Sequence, residues 1–269
     1  MIRFGSVVIG LVFVLTLLWA AFTPREAATP DVVKQFHLHP KELHLASDGP
    51  FGRFDRQQLQ RGFQVYKEVC SACHSMRHVA IRSLTDLGFT EVEVKALAKQ
   101  FTVPSIDPNT GEPSTRPGIP ADHFPSPYAN EIAARAANNN ALPPDLSLIT
   151  KARHEGPAYV YSLLTGYQDV PANLPAENRP GTGLHYNPYF ANLNLAMPAP
   201  LGADQVTYAD GTKATVDQMA KDVTAFLVWT AEPKLENRHR TGLGVLIFLL
   251  ITTMLAYMAY RTVWAREKH

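Results

Sequence analysis

The sequence predicts a mostly α-helical protein with long irregular loops, a transmembrane helix near the C-terminus and a second apolar helix near the N-terminus. Three observations support this fold class. Apolar residues recur at three- and four-residue spacing in several segments, as they do along one face of an α-helix. Few runs alternate as strands do, and proline and glycine are concentrated in two long stretches. Uncharged apolar runs lie near both ends of the chain.

Helical periodicity is clear immediately before the first cysteine. Leu59, Phe63 and Tyr66 share one helical face, which leads directly to Cys70. Further helices are predicted over residues 90–101, with Thr90 as N-cap, over residues 130–139, over residues 154–167, and where Val216, Met219, Val223 and Phe226 share a face.

Two proline- and glycine-rich stretches separate these helices. Residues 102–122 contain five prolines and two glycines, and residues 169–202 have a similar composition. Both are predicted to be irregular loops over the surface. Loops of this length are uncommon in a folded domain unless something other than secondary structure organises them, and a large cofactor could do so.

The N-terminal apolar run spans residues 4–24, between Arg3 and Arg25. The apolar region of a signal peptide is shorter and ends in a cleavage site of small residues. The sites available here would place Trp19 or Arg25 at the third residue before the cut, where a small residue is expected. The run is long enough to cross about 30 Å of hydrocarbon. Residues 1–24 are therefore predicted to form a retained anchor helix, with a cleaved signal peptide as the alternative.

The C-terminal apolar run covers residues 241–260 and is bounded by Arg240 and Arg261. Buried core helices are seldom uncharged over such a length, so residues 240–260 are predicted to cross a membrane. The following tail, residues 261–269, is rich in Arg and Lys, which by the positive-inside rule makes it cytoplasmic. The intervening domain, residues 25–239, would then lie on the opposite, exported side of the membrane, where cysteines need not stay reduced.

The exported part is mildly acidic, although the whole chain has a formal net charge of +1. Residues 25–239 contain 20 basic and 23 acidic residues. Nucleic-acid-binding domains are basic, so nucleic acid is excluded as a partner class. An acidic face could steer a basic protein partner, or could be an ordinary solvated surface.

Both cysteines of the chain lie in a single Cys-x-x-Cys-His motif formed by Cys70, Cys73 and His74. This is the pattern of covalent c-type haem attachment, in which the two cysteines form thioethers and the histidine binds iron. A structural zinc site would need four ligands, and a thioredoxin-like pair would need a βαβ context. A disulfide across the motif would leave His74 unexplained. One covalently bound haem c is therefore the predicted cofactor.

The second axial iron ligand is predicted from the six methionines. One is terminal and two lie in the C-terminal apolar run, while Met76 follows His74 too closely to reach the opposite haem face. Met219 falls on an apolar helical face, which indicates core packing. Met197 lies in a loop between prolines and is the predicted ligand, with His185 as the alternative. A haem with both axial positions filled is an electron carrier and does not activate oxygen.

Several blocks of the sequence together resemble the cytochrome c1 family, the haem subunit of quinol:cytochrome c oxidoreductase. They are RGFQVYKEVCSACHSM, ARAANNNALPPDLSLITKARHEG, YVYSLLTGY, LHYNPYFANLNLAMPAPL and DGTKATVDQMAKDV, followed by one C-terminal anchor. The resemblance is to bacterial members and covers the chain from about Leu43. It implies a class I cytochrome c-like haem domain that carries single electrons from the Rieske iron–sulfur protein to a cytochrome c acceptor. It also implies cytochrome b as a neighbour in a dimeric bc1 complex, and no substrate chemistry of the chain's own.

The resemblance also implies roles for individual residues. Met197 matches the family's distal ligand, and Arg153 matches a partner of a haem propionate. The other haem contacts implied are Asn138, Pro143, Pro144, Tyr159, Leu163, Phe190, Leu195 and Pro200. Asn140 stands where many relatives have glycine, and asparagine tolerates a positive φ better than most residues.

Two other function classes remain compatible with parts of the sequence. A one-haem electron-carrier subunit of a terminal oxidase or nitric oxide reductase would share the motif and the anchor. A haem enzyme or gas sensor would need an open iron position, against which Met197 argues.

Overall fold

The computed structural model describes residues 2–23 and 32–265, and it is mostly helical, which confirms the predicted fold class. The chain forms two units, residues 1–35 and residues 36–269. The α-helices are α1 (Ile2–Phe22), α2 (Val32–Phe36), α3 (Arg56–Glu68), α4 (Glu91–Ala98), α5 (Glu131–Ala137), α6 (Gly156–Leu164), α7 (Val216–Ala231) and α8 (Leu235–Trp264). Short 3₁₀ turns occupy Cys70–Ala72, Ile81–Leu87 and Ala176–Asn178.

The core of the second unit is built on α3 packed against α7. The predicted apolar face of α3 is buried, and so are Met219, Val223 and Phe226 of α7. The helices approach closely at Gly62, where a Cβ atom would lie 2.1 Å from the backbone oxygen of Asp222. Apolar periodicity thus identified both helices correctly, because each hides one face from water.

Helix starts are fixed by side-chain caps. Thr90 and Glu93 form the reciprocal capping box of α4, which confirms the predicted N-cap. Asp55 accepts from two backbone N–H groups at the start of α3, and Asn130 and Thr215 cap α5 and α7.

The prediction of an irregular loop over residues 102–122 is wrong in part. This segment contains an antiparallel hairpin of β1 (Thr102–Ile106) and β2 (Pro113–Pro117). The turn is closed by the Asp107 carboxylate, which accepts from two backbone N–H groups, and by Gly111 at φ 75°. The prolines are tolerated because a two-stranded sheet consists of edge strands alone, whose N–H groups need not all be paired.

The second proline-rich region is mostly irregular, as predicted. It contains one short 3₁₀ turn and a two-residue ladder between β3 (His185–Tyr186) and β4 (Asn194–Leu195). This ladder pairs His185 with Leu195 and so fixes the start of the segment that contains Met197.

Within residues 2–23 and 32–265, two helices are long and apolar enough to cross a membrane, by length and composition. They are Phe4–Phe22 within α1 and the whole of α8, and the apolar side chains of both are exposed. The run predicted to cross the membrane, residues 241–260, lies inside α8, which begins six residues earlier. The end of the first predicted segment, Pro24, and the charged residues 266–268 of the predicted tail lie outside the described residues.

Candidate haem site

The Cys-x-x-Cys-His motif follows α3 on a tight turn. The backbone N–H groups of Cys73 and His74 both donate to the Cys70 carbonyl oxygen, at 3.1 and 2.9 Å. Both cysteines are free thiols, Cys70 half-buried and Cys73 exposed. Burial, together with the neighbouring Cys73, raises the pKa of the Cys70 thiol to about 12. The turn therefore places two neutral thiols and one imidazole within five residues of chain.

The His74 ring is oriented by a backbone carbonyl from a distant segment. Its Nδ1 atom lies 2.8 Å from the carbonyl oxygen of Pro144. A carbonyl oxygen can only accept, so Nδ1 carries the proton and Nε2 keeps its lone pair. Burial lowers the pKa of His74, while the Pro144 contact opposes this shift. Histidine binds a metal as a neutral imidazole in which one ring nitrogen donates a hydrogen bond and the other keeps its lone pair.

Asp145 joins the His74 segment to the Pro144 segment, a role that no pattern in the sequence indicates. Its carboxylate accepts hydrogen bonds from the Ser75 hydroxyl at 2.7 Å and from the Arg77 backbone N–H at 2.9 Å. It also accepts from the Ser147 backbone N–H at 2.9 Å. Burial disfavours the charge, yet these hydrogen bonds outweigh it and hold the pKa of Asp145 at about 2. Asp145 thereby fixes the neighbour that orients His74.

Replacing Asp145 by asparagine should destabilise the fold in a pH-dependent manner. The pKa of Asp145 falls from 3.8 to about 2 on folding, which corresponds to about 2 kcal/mol of stability at pH 7. Because the folded pKa is the lower one, this contribution is complete above pH 4 and disappears as the pH falls to about 2.

The measurement is the free energy of unfolding of the parent chain and of Asp145→Asn between pH 2 and pH 7. The difference should shrink towards acid pH. Asp86→Asn replaces an exposed carboxylate in the 3₁₀ turn Ile81–Leu87 and serves as the control. Its free energy of unfolding should stay close to that of the parent chain across this pH range. A stability loss at Asp145 that does not change with pH would contradict the interpretation.

Met197 lies two residues beyond β4, and its backbone is held by a hydrogen bond that no pattern in the sequence indicates. The Tyr167 hydroxyl donates to the Met197 carbonyl oxygen at 3.0 Å. Met197 is half-buried, whereas Met219 is fully buried in the core, as predicted. Met76 is also fully buried in the core, and His185 is exposed.

Arg153, Tyr159 and Tyr167 lie close enough for one to shift the pKa of the next. Arg153 is exposed and donates to the Ala152 carbonyl oxygen at 3.1 Å. Burial raises the pKa of Tyr159, and the nearby Arg153 guanidinium opposes the shift. Burial and the proximity of Tyr159 raise the pKa of Tyr167, whose hydroxyl donates to the Met197 carbonyl oxygen.

The remaining residues implied by the resemblance share one property, which is incomplete burial. Each leaves surface that the protein does not cover, and this holds for Asn138, Pro143, Pro144, Leu163, Phe190, Leu195 and Pro200. Incompletely covered apolar side chains of this kind fit the lining of a large flat apolar group. Together with the available His74 Nε2 and the two thiols, the donor set fits a covalently attached haem.

In the turn after α5, Asn140 has the positive φ that its place in the sequence predicts. Asn139 and Asn140 have φ values of 51° and 61°, in the left-handed region that asparagine tolerates. The Asn138 side-chain amide donates to the Tyr128 hydroxyl at 3.0 Å and to the Ala134 carbonyl oxygen at 2.7 Å. These bonds fix the start of the segment that leads to Pro143 and Pro144.

Hydrogen bonds organise some of these residues into two groups. One contains the motif with residues 144–147, and the other contains Tyr167 and Met197. In the ranges 2–23 and 32–265, no set of three or more His, Cys, Asp and Glu side chains is arranged to hold a metal ion.

Known proteins resemble this chain over most of its length. The sequence profile of the Cytochrome C1 family matches residues 45–267. The chain is 49% identical to "Cytochrome c1" of Rhodospirillum rubrum over 233 residues, which cover 82% of this chain and 86% of the relative. It is 44% identical to "Cytochrome c1, heme protein, mitochondrial" of Kluyveromyces lactis over 264 residues, 98% of this chain and 88% of the relative. It is also 45% identical over 239 residues to "Cytochrome b/c1" of Bradyrhizobium diazoefficiens, covering 81% of this chain and 34% of that longer protein. The profile match over most of the chain, together with these relatives, shows that the chain belongs to the cytochrome c1 family.

Proposed function

We propose that the chain is the membrane-anchored haem subunit of a cytochrome bc1 complex and transfers single electrons from the Rieske iron–sulfur protein to a cytochrome c acceptor. The observation that carries the proposal is the orientation of His74. Its Nδ1 is hydrogen-bonded to the Pro144 carbonyl oxygen, and two free thiols lie in the same motif. Membership of the cytochrome c1 family supports it. In this role the chain is the electron-transfer subunit of a quinol:cytochrome c oxidoreductase.

Four residues would hold the cofactor. Cys70 and Cys73 would each form a thioether, His74 would present Nε2 to the iron, and Met197 would present its thioether sulfur from the opposite face. When bound, haem c supplies one-electron redox chemistry. Methionine opposite histidine favours the reduced iron and gives a high potential, as an acceptor of electrons from a Rieske centre needs.

The chain's other residues would position this cofactor and limit its contact with water. Arg153 could bind a propionate through its exposed guanidinium, which opposes the burial-induced rise in the pKa of the nearby Tyr159. The incompletely buried lining, from Asn138 and Pro143 to Pro200, would cover the ring edges. Tyr167 and Asp145 would position the iron ligands without contacting the haem. Tyr167 holds the backbone of Met197, and Asp145 holds the segment that contains Pro144.

The proposed complex includes cytochrome b. One relative is named "Cytochrome b/c1", and a Candida albicans relative is named "Cytochrome b-c1 complex catalytic subunit, mitochondrial". We place the haem domain on the periplasmic side of a bacterial inner membrane with the C-terminus cytoplasmic, within a dimeric complex. The arginine- and lysine-rich tail supports this orientation.

The proposal is tested by purifying the complex through a tag on this chain. Cytochrome b and a Rieske protein should co-purify, and the native reduced haem should not bind carbon monoxide, because His74 and Met197 would both bind its iron. Co-purification with oxidase or nitric oxide reductase subunits would favour the alternative carrier role. Carbon monoxide binding to the intact reduced protein would contradict the carrier function itself.

A further inference from the structure

Phe51 is an exposed aromatic residue at the tip of a tight turn. The turn Gly49-Pro50-Phe51-Gly52 is closed by a hydrogen bond from the Gly52 N–H to the Gly49 carbonyl oxygen at 3.3 Å, with Gly49 at φ 74°. The Phe51 side chain is 75% exposed. An isolated exposed apolar residue is ordinary, so its position in the fold decides whether it has a role.

The turn is held by its surroundings. A Cβ atom at Gly52 would lie 2.2 Å from the Ser47 backbone oxygen, so only glycine fits there. The Arg53 N–H donates to the Ala46 carbonyl oxygen at 2.8 Å, and the Leu45 N–H donates to the Asp48 carboxylate at 2.8 Å. Phe51 is thus presented by a fixed backbone.

The same turn is joined to the first residues of α8. The carbonyl oxygen of Gly52 lies 3.3 Å from Nδ1 of His239. The Phe54 N–H donates to the Glu236 carboxylate at 2.8 Å, and Arg56 pairs with the same carboxylate at 2.9 Å. Three contacts therefore connect the segment around Phe51 to the two turns of α8 that precede its uncharged run.

These contacts fix the height of Phe51 relative to the apolar part of α8. His239 lies two residues before the uncharged run 241–260 begins, which is about 3 Å along a helix axis. The headgroup layer on each side of a bilayer is about 5–8 Å thick. If α8 spans the bilayer, Gly52 lies in that layer and Phe51 is adjacent to it.

The charges at this level suit a phospholipid surface. Arg53 and Arg240 are exposed, one beside the turn and the other at the boundary of the uncharged run. An exposed aromatic ring with a guanidinium group two residues along the chain is a combination found in segments that lie in a membrane interface. Guanidinium groups bind phosphate oxygens through paired hydrogen bonds.

We propose that the turn 49–53 is a second membrane contact, in which Phe51 inserts into the lipid interface beside α8 and Arg53 meets lipid phosphates. The contact would limit the tilt of the domain relative to the bilayer, because it adds a point of attachment beside the start of α8. The partner is the phospholipid surface itself. This inference rests on α8 crossing the membrane and is independent of the identity of the electron donor or acceptor.

The test uses a nitroxide spin label on Phe51→Cys in the full-length haem-loaded chain, purified in its complex and reconstituted in phospholipid nanodiscs. Collision with oxygen, which partitions into lipid, is compared with collision with a water-soluble nickel chelate. Val92→Cys is the matched control, because Val92 on α4 is 76% exposed. The parent chain, labelled in the same way, gives the background from other cysteines.

We expect the ratio of oxygen to nickel accessibility to be several-fold higher at position 51 than at position 92. A high nickel accessibility at position 51 would place the turn in water and overturn the proposal. Low accessibility to both reagents would show that a neighbouring protein subunit covers Phe51, and this result would also overturn a lipid contact. Haem content of each variant verifies that the fold is intact.

Discussion

Replacing Met197 by leucine should leave the haem covalently attached and lower its midpoint potential by on the order of 100 mV. The thioethers and His74 are untouched, whereas the soft sulfur that favours the reduced iron is lost. For a one-electron couple, 59 mV corresponds to a tenfold change in equilibrium constant. Electron transfer from the Rieske centre should therefore become unfavourable, and quinol oxidation with cytochrome c as acceptor should fall steeply.

The measurement is a redox titration of the visible spectrum, with haem content determined as the pyridine haemochrome. Met219→Leu is the matched control, since it makes the same chemical change at a methionine that is fully buried in the core. It should leave the potential nearly unchanged. An unchanged potential in Met197→Leu would show that Met197 is not the ligand, and His185, exposed on β3, would be replaced next.

Replacing both Cys70 and Cys73 by alanine should abolish covalent haem attachment. Each thiol would supply one thioether, and the turn that carries both also positions His74 through its bond to the Cys70 carbonyl oxygen. Alanine keeps the backbone but removes both sulfurs. Each single replacement should leave at most one thioether and reduce the yield of attached haem.

Acid–acetone extraction followed by haem staining of the denatured chain measures covalent attachment. Ser71→Ala is the control within the same motif, because the Ser71 hydroxyl donates to the Lys67 carbonyl oxygen and carries no sulfur. Its haem should resist extraction. Haem that remains fully attached in the double alanine variant would refute the proposed linkage.

The helices and the two apolar ends could be predicted from the sequence because their signals are local. The face formed by Leu59, Phe63 and Tyr66 is set by a spacing of three to four residues, and the Thr90 cap depends on Glu93 three positions away. The hairpin of β1 and β2 was missed for the opposite reason. Its strands show no apolar alternation, and their pairing becomes favourable only once the Asp107 turn brings them together.

The residues of the candidate site also differ in how far the sequence could predict them. The motif of Cys70, Cys73 and His74 is contiguous, so residue types and spacing alone indicate its chemistry. Met197 was chosen by elimination among the methionines and by resemblance, the lining residues by resemblance alone, and both stay predictions. Asp145 and Tyr167 were missed. An aspartate in a loop and a tyrosine shortly after a helix are common in folded proteins, so neither position by itself indicates a role in a site.

Residue types and their spacing are enough to predict the haem-attachment motif, most of the helices and the apolar segments that could cross a membrane. The contacts of Pro144 with His74, of Tyr167 with Met197, and of Gly52 with His239 at the start of α8 appear only in the folded chain. The first set depends on residue types at short spacing along one segment. The second set consists of hydrogen bonds between residues 30 to 187 positions apart, whose formation depends on how the whole chain packs.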